Sequence, residues 1–487
     1  MRTAQLIAEC FFIVPLSAIL IINFLPLRRA RKIFSQLAGT VAILEGVLAA
    51  AEFFVLLKLD VSACDFNIFY SGADGDSFFR VRRFSLYFMA CISLVAFSSA
   101  MIAKKTIQLR RRSYVNLLMC LIMGMNGMLM STDLFSLYVF LEIVGISSFV
   151  MIAMFRSRTG LEGSFKYLVV SAMGVMLLLI GLSLLLMQTG SLDYTAVSTA
   201  MLDNADASHK ALTYAAVILM ICGFAVKTGA VPFHSWLPDA HQSADTAVSV
   251  LLSGIVIKIA GIYGLYIVRV LFGELEVVQL SYQVIGVVSI LYGAILASRQ
   301  EHFKRICAYS SVSQMGYIIL GLSTNTYLGL FGAAAHVFSH AVFKSTLFTN
   351  AAALHEQTGT LNIREMGGLE KKMPVTSFSS VIAFLSTAGI PPLSGFWSKL
   401  FIVIALWSSG NQVWGAAALI LSIFTSGYFL RLQKNVFFGK TPDSLEGVKE
   451  ISGTIKYLEI ILTAITIGVG LAFPLIIYLL NAYVING

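Results

Sequence analysis

Charge is scarce in this chain. Asp, Glu, Lys and Arg make up 12% of its 487 residues, while 57% are hydrophobic. That balance describes an integral membrane protein and excludes a water-soluble globule. Paired cysteines are missing as well. Cys10, Cys64, Cys91, Cys120, Cys222 and Cys307 are scattered with no CxxC among them, so their spacing implies neither an iron–sulfur cluster nor a zinc site. Five of the six fall in apolar runs, where a thiol serves as a small hydrophobe. There is no Walker loop, and no GxGxxG followed by an acidic residue in a βαβ setting. A nucleotide, metal or redox cofactor held by this chain is therefore not expected. Arg2 precedes the first apolar run, 5–26, but no small-residue cleavage site follows before RRARK, which predicts a retained span and not a signal peptide.

What the chain does have is apolar runs of roughly 18 to 25 residues, the spanning length for helices. Barrel strands would be shorter and would alternate in polarity. About 14 transmembrane helices are predicted, near 5–26, 36–58, 84–103, 114–131, 133–154, 165–187, 212–235, 248–270, 278–298, 308–322, 327–354, 376–407, 413–432 and 457–482. A polar loop at 188–211 contains Asp193, Asp203, Asp206 and His209. The net charge of +9 resides in short loops, with no basic stripe interleaved with aromatics, so nucleic acid is not an expected partner. Of the 34 Lys and Arg, 22 fall in the loops of one side, 7 on the other side, and 5 in apolar runs. The positive-inside rule then places both termini on the non-cytoplasmic side of the cell membrane.

The five embedded lysines are Lys166, Lys227, Lys258, Lys344 and Lys399. Charge inside a span is costly and points to function, snorkelling from a helix end being the ordinary alternative. Lys166 lies at the start of the sixth span and is placed to snorkel. Lys227 precedes Pro232, and Lys399 follows Pro391 and Pro392; proline removes a donor and breaks a helix. An aligned phenylalanine–lysine pair, FKYLVVS at 165–171 and FKSTLFT at 343–349, precedes each break, which reads as a weak internal repeat. Repeated broken helices are a common way to build an ion site in a membrane.

Glu142 lies in LFSLYVFLEIVGISSFVMIA, and Lys227 or Lys258 is its natural cation partner. Such a pair can be ionic or, after proton transfer, neutral; a static salt bridge is the alternative. His336, His340 and Lys344 recur every fourth residue on one helix face, which suits a proton relay from Lys258 toward Lys399. A zinc site fits less well, since an ammonium one turn away repels a dication. Ser310, Ser311, Ser313 and Gln314 can hold water or bond back to helix carbonyls. Asp133 is expected to cap the helix that follows it. Glu45 and Glu52 share a face of the second span, with contact to a partner helix or a neighbouring subunit as the expectation. The polar segment from His234 to Asp245 reads as a cytoplasmic entrance or a packing turn.

FAVKTGAVPFHSWLPDAH, KRICAYSSVSQMGY and GIPPLSGFWSK, with their spacing, resemble the antiporter-like subunits of respiratory complex I, the Mrp cation/proton antiporters and the energy-converting membrane-bound hydrogenases. The resemblance runs from about 84 to 432. It implies an all-α integral membrane fold of 14 helices, with two inverted five-helix repeats and broken helices 7 and 12. The corresponding division is 1–113 for helices 1–3, 114–270 for the first repeat, 271–432 for the second, and 433–487 for a loop and helix 14. The resemblance also implies a charged axis of Glu142 with Lys227, then Lys258, then Lys399, coupled laterally to neighbouring subunits. His336, His340 and Lys344 match its linking helix.

Complex I members have SSISH where this chain has SSVSQ at 310–314. That difference, with GTLNIREMGGLEKKMP at 359–374, looks closer to the hydrogenase-linked and Mrp branches. The chain ends soon after the fourteenth span, so the longest subunit type, with its lateral helix, is not expected. The expected function is proton translocation, with sodium as the other candidate ion, in a multisubunit redox complex whose iron–sulfur subunits lie elsewhere among its partners. An Mrp-type secondary antiporter is the alternative.

Overall fold

The computed structural model describes residues 2–24, 27–66, 79–203 and 207–485. It is almost entirely helical. The chain divides into two compact units, Met1–Gly229 with Ser243–Val278, and Ala230–Gln242 with Gln279–Gly487.

The first unit opens with α1 (Arg2–Phe24) and α2 (Leu27–Lys58). A short hairpin of β1 (Ala63–Phe66) and β2 (Phe79–Arg82) follows, paired antiparallel with Ala63 opposite Arg82. The Arg80 guanidinium donates to both Asp65 carboxylate oxygens across it. Then come α3 (Arg83–Thr106), α4 (Arg111–Met130), α5 (Leu134–Ala153), α6 (Arg158–Thr189), α7 (Tyr194–Asp203) and α8 (Ala207–Thr228). After the chain leaves for α9 (Trp236–Ser243), α10 (Thr246–Leu251) runs through two π-helical turns, Leu252–Val256 and Lys258–Tyr263, into α11 (Gly264–Phe272). Helix α6 packs on α8, α2 on α3, and α4 on α5. Asp133 caps α5, its side chain accepting from the Ser136 amide at 2.7 Å, as expected.

The segment expected to be a polar loop at 188–211 contains α7. Asp193 starts this helix, accepting from the amides of Thr195 at 2.8 Å and Ala196 at 3.2 Å. Partial burial alone would raise the Asp193 carboxyl, but those bonds, one from the Thr195 hydroxyl and the charge of Arg80 hold it below the usual carboxylate range. Asp206 lies outside the described residues, as do 25 and 26 at the end of the first expected span.

The second unit holds α12 (Glu276–Ser298), α13 (Phe303–Ser323), α14 (Tyr327–Thr358), α15 (Pro374–Ala388), α16 (Ser394–Ser408), α17 (Gln412–Val436) and α18 (Thr454–Ile485). Helix α14 packs against α13, α15, α16 and α18. Its 32 residues span roughly 48 Å at 1.5 Å per residue, longer than a bilayer core.

Eleven of the described helices are long and apolar enough to cross a membrane, and the chain is a multi-pass membrane protein. Helices α13 and α14 are long enough but too polar for that count, since they bury serines, histidines and two lysines inside the second unit. Apolar helices α15 and α16 are individually short, 15 residues each.

Candidate functional site

The breaks follow from proline placement. In an α-helix the carbonyl of residue i accepts from the amide of i+4. Pro232 is four residues beyond Thr228, the last residue of α8, and Pro391 is four beyond Thr387 near the end of α15. Each carbonyl therefore loses its ordinary donor. Gly229 and Gly389 both turn the chain with positive φ, 69° and 85°.

Lys227 lies in the last turn of α8 and is 3% exposed. Its Nζ donates to Ser171 Oγ of α6 at 2.6 Å and sits 3.5 Å from Glu142 Oε1 of α5. A cation there also faces the negative end of the helix dipole. Gly145 leaves it room, since a Cβ at that position would lie 3.3 Å from Nζ. The Glu142 side chain is 35% exposed, so the anion of the pair reaches the chain surface while the cation does not. Its helix neighbours on that surface, Val139, Ile143 and Ile146, are apolar.

Lys258 is fully buried in the π-helical stretch. Its Nζ donates to the Ser253 carbonyl at 2.8 Å and to the Gly254 carbonyl. Widened π turns leave such carbonyls off the regular ladder, which frequently marks a functional site. Gly261 permits the stretch to press on the first break, where a Cβ would fall 2.6 Å from Thr228 Cα.

At the second break the lysine arrives from the other side. Lys399 of α16 reaches back to donate to the Thr387 carbonyl, the one Pro391 leaves free, at 2.7 Å. Its ammonium also lies 4.4 Å from the centre of the Tyr317 ring. Gly395 at the start of α16 donates to Ser386 Oγ at 3.2 Å, joining the two half-helices.

The relay residues of α14 are buried in the second unit. His336 Nε2 is 3.1 Å from Gln314 Oε1, and Nδ1 is 2.9 Å from Ser398 Oγ. With the amide oxygen as acceptor, Nε2 is the donor. The Ser398 hydroxyl can donate to Nδ1, or turn to the Gly395 carbonyl at 3.1 Å and accept from a protonated Nδ1. Lys344 donates to the Cys307 carbonyl at 2.7 Å and to Ser310 Oγ. The His340 ring packs on Phe343 at 5.1 Å. Ser310 and Ser311 also bond back to the Cys307 carbonyl.

Other expectations resolve more simply. Lys166 is exposed and pairs with Glu162 at 2.8 Å. Glu45 and Glu52 are buried within the chain, and Glu45 accepts from Asn126 of the partner helix α4 at 3.0 Å. The segment 234–245 makes packing and capping contacts. Asp239 pairs with Arg305 at 2.6 Å, His241 stacks on Phe348, and Asp245 caps α10. Sequence reasoning missed Ser171, Tyr317 and Ser398, whose partners lie 56 to 82 positions away and share no local pattern with them.

Residues 131–425 match the family described as NADH:quinone oxidoreductase/Mrp antiporter, transmembrane. The chain is 34% identical over 325 residues to "NADH-quinone oxidoreductase subunit N" of Desulforudis audaxviator, covering 66% of this chain and 64% of that protein. It is 31% identical over 356 residues to a subunit of the Na(+)/H(+) antiporter of Alkalihalophilus pseudofirmus, covering 72% of this chain and 71% of that protein. The fold is similar to a chain of the membrane-bound sulfane sulfur reductase, described as an archaeal respiratory membrane complex, with a TM-score of 0.84 and 26% identity over 97% of this chain and 95% of that one. Both motif-bearing breaks lie within the matched residues, and the chain belongs to the NADH:quinone oxidoreductase/Mrp antiporter transmembrane family.

Proposed function

We propose that this chain translocates protons as the antiporter-like membrane subunit of a larger redox-driven complex. The observation that supports this reading is the pair of helix breaks, each with a buried lysine at the carbonyl end of a half-helix. At the first break the lysine also has a carboxylate partner. A neighbouring unit charge about 4 Å away is worth roughly 4 kcal/mol at an intermediate dielectric. That is about a thousandfold in the proton equilibrium of the Glu142–Lys227 pair. Moving such a charge drives proton release without a large helix movement.

Lys258 then accepts from the pair, and His336, His340, Lys344 and Lys399 form the path in the second unit. The half-exposed Glu142, on an otherwise apolar face, is suited to a neighbouring subunit's charge and not to lipid. The finer architecture of this reading is 14 spans with inverted repeats and both termini outside the cytoplasm. Soluble iron–sulfur subunits and lipids complete the assembly.

The likeness to the Na(+)/H(+) antiporter protein supports a second reading, a secondary cation/proton antiporter driven by an ion gradient. Purification of the native assembly separates the two. Soluble iron–sulfur subunits support the first, and small membrane subunits alone support the second. Lys258→Ala in the intact assembly, reconstituted into vesicles, is expected to stop proton translocation. Wild-type translocation in that variant would overturn the relay.

A further inference from the structure

Glu459 lies near the start of α18 and is 0% exposed. Its Oε2 is 3.1 Å from the hydroxyl of Thr376, in the first turn of α15. The same hydroxyl is 2.9 Å from Glu450 Oε1. A hydroxyl has one hydrogen and can donate to one carboxylate at a time. The other carboxylate then faces the lone pairs of the hydroxyl oxygen, an approach that favours a hydrogen on that carboxylate, so the trio suits one proton more than two ionised glutamates would hold.

Glu450 is the carboxylate with backbone donors. Its Oε2 accepts from the Val375 amide at 2.6 Å and the Thr376 amide at 3.4 Å, and Oε1 from the Ile451 amide at 3.0 Å. Val375 and Thr376 open α15, where the dipole favours negative charge. The resting proton therefore resides on Glu459. Its other oxygen, Oε1, is 2.8 Å from the side-chain amide of Asn350 on α14. With nitrogen at that end, Asn350 donates to Oε1 and to the Thr346 carbonyl at 3.3 Å, while its oxygen accepts from the Ser380 amide at 3.2 Å. That leaves Oε2 as the protonated oxygen, directed at Thr376. The charged groups acting on Glu459 are Glu450 and Lys456, the latter one turn earlier on α18.

We propose that Glu459, Thr376 and Glu450 form a proton wire connecting the half-buried Glu450, on the loop before α18, to the helix that holds Lys344. In one step the O–H bond at Glu459 Oε2 breaks and a new one forms at Thr376 Oγ1. The Thr376 O–H breaks in concert and its proton bonds to Glu450 Oε1. The reverse step loads Glu459 from Glu450. Atoms and charge balance without any further reactant. Asn350, six residues from Lys344 on α14, stands roughly 9 Å from it along the axis and marks the inner end. This inference rests on the proton-translocating reading above and assigns the second unit an additional proton-carrying carboxyl.

The test uses the intact complex in vesicles. Glu459→Gln and Thr376→Val are each expected to lower proton translocation at least tenfold with assembly unchanged. Thr376→Ser, which keeps the hydroxyl, restores translocation relative to Thr376→Val. Difference infrared spectra are expected to show a protonated-carboxyl band that disappears in Glu459→Gln and persists in Lys399→Ala. Wild-type translocation in Glu459→Gln or Thr376→Val, or a band unaffected by Glu459→Gln, would overturn the wire. Wild-type translocation in Lys399→Ala would instead overturn the lysine reading, with the infrared band in Glu459→Gln then deciding the wire on its own.

Discussion

The two helix breaks place a buried ammonium at the same kind of position by different means. At the first, the lysine belongs to the half-helix that ends, and its partners are a hydroxyl and a carboxylate. At the second, the lysine belongs to the half-helix that begins, and it reaches back to a carbonyl and over a phenol ring. Among the described residues no carboxylate lies within ion-pair distance of Lys399. A fixed carbonyl dipole cannot give up or take a proton, whereas Glu142 can. The first break therefore suits a charge that switches, and the second a lysine whose state is set by protons arriving along the path.

That contrast can be broken experimentally. The largest effect is expected for Lys399→Ala, with proton translocation by the reconstituted complex falling about a hundredfold, the scale typical of one general acid–base group. The substitution removes a charge and leaves no buried ion unpaired, so assembly on native gels stays normal. Glu142→Gln comes next. It strands the Lys227 ammonium, and removing one partner of a buried pair costs about 3–5 kcal/mol, reduced here because Glu142 is partly exposed. Both thermal stability and translocation are expected to fall, and the double variant Glu142→Gln/Lys227→Gln recovers stability but not translocation. No single substitution of a carboxylate should reproduce that pattern at Lys399.

Smaller effects sharpen the comparison. Tyr317→Leu removes the ring beneath Lys399, worth roughly 0.5–2 kcal/mol, and is expected to slow turnover severalfold while the first break is unaffected. A control lies outside the membrane spans. Burial, with the charges of Lys304 and Arg305, pushes the His302 imidazole down to about 4. The unfolded chain binds that proton near pH 6.5 and the folded chain only near 4, so stability is lost as pH falls through this window. The loss reaches about 3 kcal/mol at the acid end. His302→Gln should flatten the acid side of the melting-temperature profile and leave translocation at neutral pH unchanged.

Much of the site was legible in the sequence because prolines and buried lysines signal locally. Pro232 and Pro391 name the carbonyls they leave free by position alone, and Asp133 announces its cap. The π turns around Lys258 were not legible. VLLSGIVIKIAGIY has no proline, and its register is tied to Gly261 meeting Thr228, a tertiary contact. The hairpin before α3 and helix α7 escaped because they are short, with strands of 4 residues and a helix of 10, and pairing such as Arg80–Asp65 sets the hairpin. Glu459 carries no local signal of a relay role. Its partner Thr376 is 83 positions away and Glu450 is nine, so only the fold joins the three.

The most direct measurement is the number of protons moved per catalytic turnover by the intact, reconstituted complex carrying Lys227→Ala or Lys399→Ala, with assembly verified in the same preparation. Loss of protons per turnover in both variants is the expected result. An unchanged ratio in either one would contradict the role assigned to the lysines at the helix breaks.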